Sequence, residues 1–238
     1  MNIETPATGF GPGKKSAGLR NISAFTLVEL LVVISIIGIL AAFILAVTGG
    51  VKKTEYVSTA TAEMNKIKAA LEAYKQQYGF YPPMGNNCLI NPLYAELAGT
   101  TNVSQTGTPA FSTLDGNMQG LGPGMFGMSG FVNCSKSGAG GENSAVARDF
   151  IGELKPAQIY VITNSAGTNG MLVYSLGGPN INYAPVATNL PGINPWRYAY
   201  PGTNNPNSYD LWVQLEINNQ TNLVCNWSSK VQVGAPYP

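Results

Sequence analysis

The sequence predicts an α+β protein, with one long N-terminal helix packed on a small antiparallel β-sheet that carries loop-rich insertions. Three observations lead there. No charge occurs from Leu30 to Val51, so that stretch reads as a helix that is apolar all round. Val57, Ala60, Met64, Ile67, Leu71, Tyr74 and Tyr78 then recur at spacings of three and four, the stripe of an amphipathic helix. Beyond Pro83 come short runs rich in β-branched and aromatic residues, separated by Gly, Asn and Ser, which is strand-and-turn chemistry.

Residues 1–24 hold Lys14, Lys15 and Arg20 against Glu4, with scattered Gly and Pro and no periodicity. They read as a positively charged leader. The apolar run from Phe25 to Val47 is long enough to cross a bilayer as a helix. The basic leader sets its N-terminal end in the cytoplasm by the positive-inside rule and the rest of the chain outside. A secretory signal peptide is the rival reading, but no convincing cleavage site follows the run and Glu29 sits inside it.

The stripe from Val57 to Tyr78 continues this helix, while Glu55, Glu63, Lys66, Lys68, Glu72 and Lys75 lie largely off it. Gly79 supplies the stop and Pro82-Pro83 forbid continuation. A single helix from near 25 to 78 is therefore expected, roughly 80 Å at 1.5 Å per residue. Gly49-Gly50 is its expected weak point, since each Gly costs about 1 kcal/mol in a helix interior.

Residues 100–145 are rich in Gly, Ser, Asn and Thr and read as a long loop region. Four strands are expected, at 158–163 (QIYVIT), 171–177 (MLVYSLG), 209–217 (YDLWVQLEI) and 222–228 (NLVCNWS). The last two flank NNQT, a hairpin turn. Asp210, Trp212, Gln214 and Glu216 alternate with Leu211, Val213, Leu215 and Ile217, which predicts a half-buried strand. One four-stranded antiparallel sheet laid on the helix stripe would bury both. Met125, Phe126, Met128 and Phe131 read as a loop tucked on the core, with a contact patch as the alternative.

Composition narrows the function. The 238 residues carry a formal net charge of +1 and only 11% charged side chains, so no basic field points to nucleic acid. There is no histidine, which removes the commonest general base and a leading metal ligand. No GxSxG turn and no clustered acids occur either, so an enzyme is not expected. Cys88, Cys134 and Cys225 lie far apart and form no CxxC pattern. In an oxidising compartment three pairings are open. Cys88–Cys134, closing the loop-rich middle, is preferred over the others and over three buried thiols.

One acid remains to be explained. Glu29 lies at the head of the apolar run, where a carboxylate costs several kcal/mol unless it finds a partner. Its setting, Ala24-Phe25-Thr26-Leu27-Val28-Glu29-Leu30, resembles the cleavage and methylation site of type IV pilins and type II secretion pseudopilins. The resemblance implies a pilin-like fold, cleavage between Ala24 and Phe25 by a prepilin peptidase, and N-methylation of Phe25. It further implies that Glu29 serves assembly by pairing with the N-terminal amine of a neighbouring subunit. The family usually has Gly before the cut, where this chain has Ala24. It often has Pro within the apolar half, where this chain has Ala46.

Two further stretches are similar to the major pseudopilin of type II secretion: LEAYKQQYGFYPP at 71–83 and NPWRYAYPGTNNPNSYDLWV at 194–213. That group also carries calcium in its C-terminal loop. Here Glu216, Asn218 and Asn219 stand where clustered Asp would be expected, so neither calcium nor any other cofactor is predicted. The expectation is a subunit with a leader (1–24), a transmembrane and assembly half-helix (25–50) and a periplasmic globular domain (51–238) that includes the amphipathic helix 51–78. It would be a single-pass inner-membrane protein forming a homo-oligomeric helical filament. Its partners would be the prepilin peptidase, the inner-membrane assembly platform and minor pseudopilins, with a surface type IV pilus subunit as the alternative. A membrane-anchored monomeric binding protein is the rival that would not need Glu29.

Overall fold

A computed structural model describes residues 25–104, 109–135, 146–165, 167–174, 193–217 and 220–234, with the side chains of 43–52 and 164 not among them. The expected leader, residues 1–24, lies outside the described residues. The chain is α+β and divides into two compact units, Met1–Val47 and Thr48–Pro238.

Helix α1 runs Leu27–Tyr78 and continues through Gly49-Gly50 without a break. In the first unit, Phe25 to Ala42 are all exposed, Leu27 and Val28 at 78% and 67%. Ser35, a polar residue within the apolar run, donates its hydroxyl to Leu31 O at 2.7 Å, so its hydrogen-bonding demand is met within the helix. Among the described residues no helix is long and apolar enough to cross a membrane. The expected span includes residues 43–47, whose side chains lie outside the described set.

In the second unit the expected stripe is the core face of α1. Ala60, Met64, Ile67, Leu71 and Tyr74 are buried, and Val57 and Tyr78 pack against the same cluster. A fully buried side chain of this size contributes roughly 1.5–3 kcal/mol. Gly79 takes the left-handed conformation, φ 84°, and donates its N–H to Lys75 O at 2.7 Å, ending the helix as expected. Glu63 departs from its expected exposed place. It is buried, and its carboxylate accepts bonds from Trp196 Nε1 at 3.3 Å and Gln158 Nε2 at 3.5 Å.

Helix α2, Leu93–Ala98, is buried along its whole length. It was not foreseen, because six residues are too few for a period to register. The described residues of the 100–145 region hold more secondary structure than its composition suggests. Strands β1 (Thr100–Asn102), β2 (Phe111–Thr113) and β3 (Cys134–Ser135) form a sheet of order β2-β1-β3. A 3-10 turn, Pro123–Phe126, lies between β2 and β3. Phe126 and Phe131 are buried in the main core, with Met128 packed against it, so this piece is a loop tucked on the core.

The expected single sheet is divided. Strands β4 (Ile159–Asn164) and β5 (Gly167–Leu172) pair antiparallel with each other. A separate antiparallel sheet has the order β6-β7-β8-β9, from Arg197–Ala199, Asp210–Ile217, Gln220–Cys225 and Gln232–Val233. The β7–β8 hairpin is as expected, pairing Val213 with Val224 and Ile217 with Gln220. Residues 218 and 219, which join them, lie outside the described residues, as do 175–177 of the expected second strand.

Strand β7 is buried on both faces, not one. Leu211, Val213 and Leu215 face the main core. On the other face, set by the pairs Arg197–Trp212, Trp212–Cys225 and Gln214–Leu223, a second cluster of Trp212, Leu223 and Cys225 forms with Cys88 and Trp227 against it. Asn194 Nδ2 donates to Gln214 O at 2.7 Å, and Arg197 Nη1 donates to Asn194 Oδ1 at 3.2 Å. Asn194 and Arg197 are thus buried with partners, whereas the Gln214 side-chain amide is buried with no hydrogen bond among the described residues; alternation in sequence cannot reveal that cover.

Candidate functional site

Thr26 and the first turn of α1 form a closed local unit. Thr26 precedes the first helical residue and Glu29 stands three positions on. The Thr26 N–H and the Thr26 hydroxyl both donate to Glu29 Oε2, at 2.9 and 2.7 Å. In return the Glu29 N–H donates to Thr26 Oγ1 at 3.2 Å. This is a capping box, which satisfies donors that a helix start leaves without partners. A carboxylate in the first turn also suits the positive end of the helix dipole. Oε1 of Glu29 takes no hydrogen bond among the described residues.

Phe25 sits immediately before the box, 71% exposed, and Ala24 lies outside the described residues. Of the expected site residues, the fold thus brings Glu29 to within one residue of Phe25 through Thr26. Thr26 was missed. Its signal in sequence is T-x-x-E ahead of an apolar run.

Cys88 and Cys134, the expected pair, pack in different clusters of the globular unit. Cys88 packs on the Trp212 cluster and its carbonyl accepts from Tyr198 N–H at 3.1 Å. Cys134 lies on β3, packed against the main core.

A second polar centre, invisible in sequence, holds the globular unit together. Glu96 on α2 is fully buried. Its carboxylate accepts from Tyr74 OH at 2.9 Å, Val132 N–H at 2.9 Å and Asn133 N–H at 3.0 Å. The Asn133 amide group donates to Glu96 O and Arg148 O, at 2.7 and 2.6 Å, and its oxygen accepts from Tyr78 OH at 2.8 Å. Burial pushes the Glu96 carboxyl above its ordinary range, against the pull of the Asn133 and Val132 N–H groups. Burial, then the charge of Glu96, holds the Tyr74 phenol well above its usual range. Glu96, Tyr74 and Asn133 are buried, so the cluster ties α1, α2 and the segment before β3 to one another. Among the described residues no group of acids and thiols is arranged to hold a metal ion.

A family model for the prokaryotic N-terminal methylation motif matches residues 19–45. The chain therefore carries the prepilin-type cleavage and methylation signal of pilins and pseudopilins. This signal marks prepilin-peptidase substrates that assemble into pilin-type filaments, and it suggests a structural subunit rather than an enzyme. It is consistent with a membrane-anchored pilin-type precursor. No curated protein and no solved structure matches the chain at a significant level.

Proposed function

We propose that the chain is a structural subunit of a type II secretion pseudopilus, a helical filament whose assembly drives protein export. In this reading residues 1–24 are the cytoplasmic leader, 25–50 the membrane-spanning and assembly half of α1, and 51–238 the periplasmic pilin-like domain. The prepilin peptidase cuts between Ala24 and Phe25 and the new amine of Phe25 is methylated. The subunit waits as a single-pass inner-membrane protein, then joins the filament at the assembly platform together with minor pseudopilins.

The observation that carries the reading is the methylation motif at 19–45 with Glu29 at the fifth position after the expected cut. The capping box gives Glu29 two separable tasks. Oε2 is used by Thr26, which leaves Oε1 for the amine of a neighbouring subunit. Pairing of that kind removes the cost of a carboxylate at bilayer depth.

The choice of pseudopilus over surface pilus is supported by the two pseudopilin-like stretches. Though far apart in sequence, they contribute to one core: Tyr74, Tyr81, Trp196, Tyr198 and Tyr209 share a cluster, and Tyr198 OH donates to Pro82 O at 2.8 Å. Deletion of the gene tests the choice. Loss of protein export with surface fibres intact is the expected result; loss of fibres with export intact would assign the chain to a type IV pilus.

A further inference from the structure

An open pocket of about 390 Å³ lies between the exposed flank of α1 and the segment that leaves β8. Thr61, Asn65 and Lys68 line it from the helix, and Trp227, Ser229 and Lys230 from the opposite side. Thr61, Asn65 and Lys68 fall at i, i+4 and i+7, one face of the helix. Met64, Val224 and Val231 add apolar wall, so the pocket is mixed in character, with two lysines and an indole at its wall. Neither Lys68 nor Lys230 has an ion pair among the described residues. A concave site with unpaired cations, hydroxyls and an aromatic wall suits a carboxylate on a short apolar stem.

The chain itself carries such a group. Glu55 is an exposed acid on α1 with no hydrogen bond or ion pair among the described residues. It precedes Lys68 by thirteen residues, hence by about 20 Å along the helix and about 220° around it. The acid and the pocket thus lie on nearly opposite sides of α1. Glu55 cannot reach the pocket of its own chain, but opposite placement is what a heterologous contact between copies requires. Such contacts, repeated without closure, generate open helical filaments.

We infer that the Lys68–Lys230 pocket receives Glu55 of a second copy of this chain as a subunit contact outside the apolar half of α1. This rests on the filament reading above and adds the partner surface to it. The contact would fix how far one subunit is displaced along the next, because the pocket accepts the carboxylate at one axial position.

The test uses the full-length chain in its producing cell, with sheared filament as the readout and precursor processing as the control for folding and insertion. Lys68→Glu and Glu55→Lys should each reduce filament by at least about tenfold, since each leaves like charges opposed. The exchange Lys68→Glu with Glu55→Lys should restore it. Lys68→Cys with Glu55→Cys should give oxidant-dependent oligomers that neither single variant gives. Wild-type filament with no loss in either reversal, or loss that the exchange does not restore, overturns the contact alone. A wild-type chain that is processed but never assembles overturns the filament reading and this contact with it.

Discussion

Thr26 and Glu29 hold each other from both ends of the first turn of α1: two Thr26 donors meet one Glu29 oxygen, and the Glu29 N–H returns a bond to the Thr26 hydroxyl. The acid that looks anomalous in the apolar run is thus a helix cap before it is anything else. This separates two roles that a substitution by Leu would remove together. Gln keeps an oxygen acceptor and is a capping-box residue in its own right, yet carries no charge. Glu29→Gln should preserve slow hydrogen exchange in the first turn while filament yield falls about tenfold or more. Glu29→Ala should lose both. A Glu29→Gln chain that assembles like wild type would leave Glu29 as a cap only.

Processing is open to direct measurement. The mature chain is expected to begin at Phe25 and to carry one methyl group on its amine, which intact mass and N-terminal sequencing would establish. Ala24→Gly restores the residue usual before the cut, so the ratio of mature chain to precursor should rise. A mature terminus elsewhere would refute the site.

Glu96 gives a stability prediction. Glu96→Ala strands Tyr74 OH and the N–H groups of Val132 and Asn133 inside the core. Each buried donor without a partner costs roughly 1–3 kcal/mol, so a loss of about 3 kcal/mol or more is expected in denaturant unfolding of the detergent-solubilised chain. A loss under about 1 kcal/mol would mean that water replaces the carboxylate.

The same residue fixes a sign for pH. Burial raises the folded-state value of Glu96 above its ordinary 4.5, so the folded chain binds this proton more tightly than the unfolded chain does. Its contribution is fully present below the unfolded value and is lost as pH rises through the raised folded value. The stability of wild type relative to Glu96→Gln, which does not titrate, should therefore decline as pH rises from about 4.5. A difference independent of pH would place the carboxyl in its ordinary range.

Gly170 is required by space. A Cβ there would lie 2.8 Å from Tyr94 Cδ1 and 3.1 Å from Met118 Cγ. Tyr94 cannot easily withdraw, since it is fully buried and its hydroxyl is bonded to Asp115 at 2.9 Å. Gly170→Ala should cost about 1–3 kcal/mol by overpacking, seen as a lower melting temperature. An unchanged melting temperature would show that the ring gives way.

Period and punctuation carried the helix into the sequence plainly. The stripe from Val57 to Tyr78 and the stop at Gly79 are local facts, because a 3.6-residue repeat names its own buried face. The methylation motif was equally legible, since an enzyme that recognises a short segment must find its signal in consecutive residues. Strands β4, β7 and β8 were legible as runs, but their partners were not. A strand's composition reports that it is covered, not by which neighbour.

What the sequence determined by itself is therefore the apolar head of α1, the amphipathic continuation, the processing signal and the T-x-x-E cap. Each depends on residues within a turn or two of one another. Only the tertiary structure decided that Glu63 is buried beside Trp196, that β7 is covered on both faces, and that Glu96 joins Tyr74 to Asn133. It also decided that Cys88 and Cys134 serve different clusters. Those outcomes turn on side chains brought together from distant parts of the chain. Whether a polar group ends in water or in the core depends on the partners it meets there.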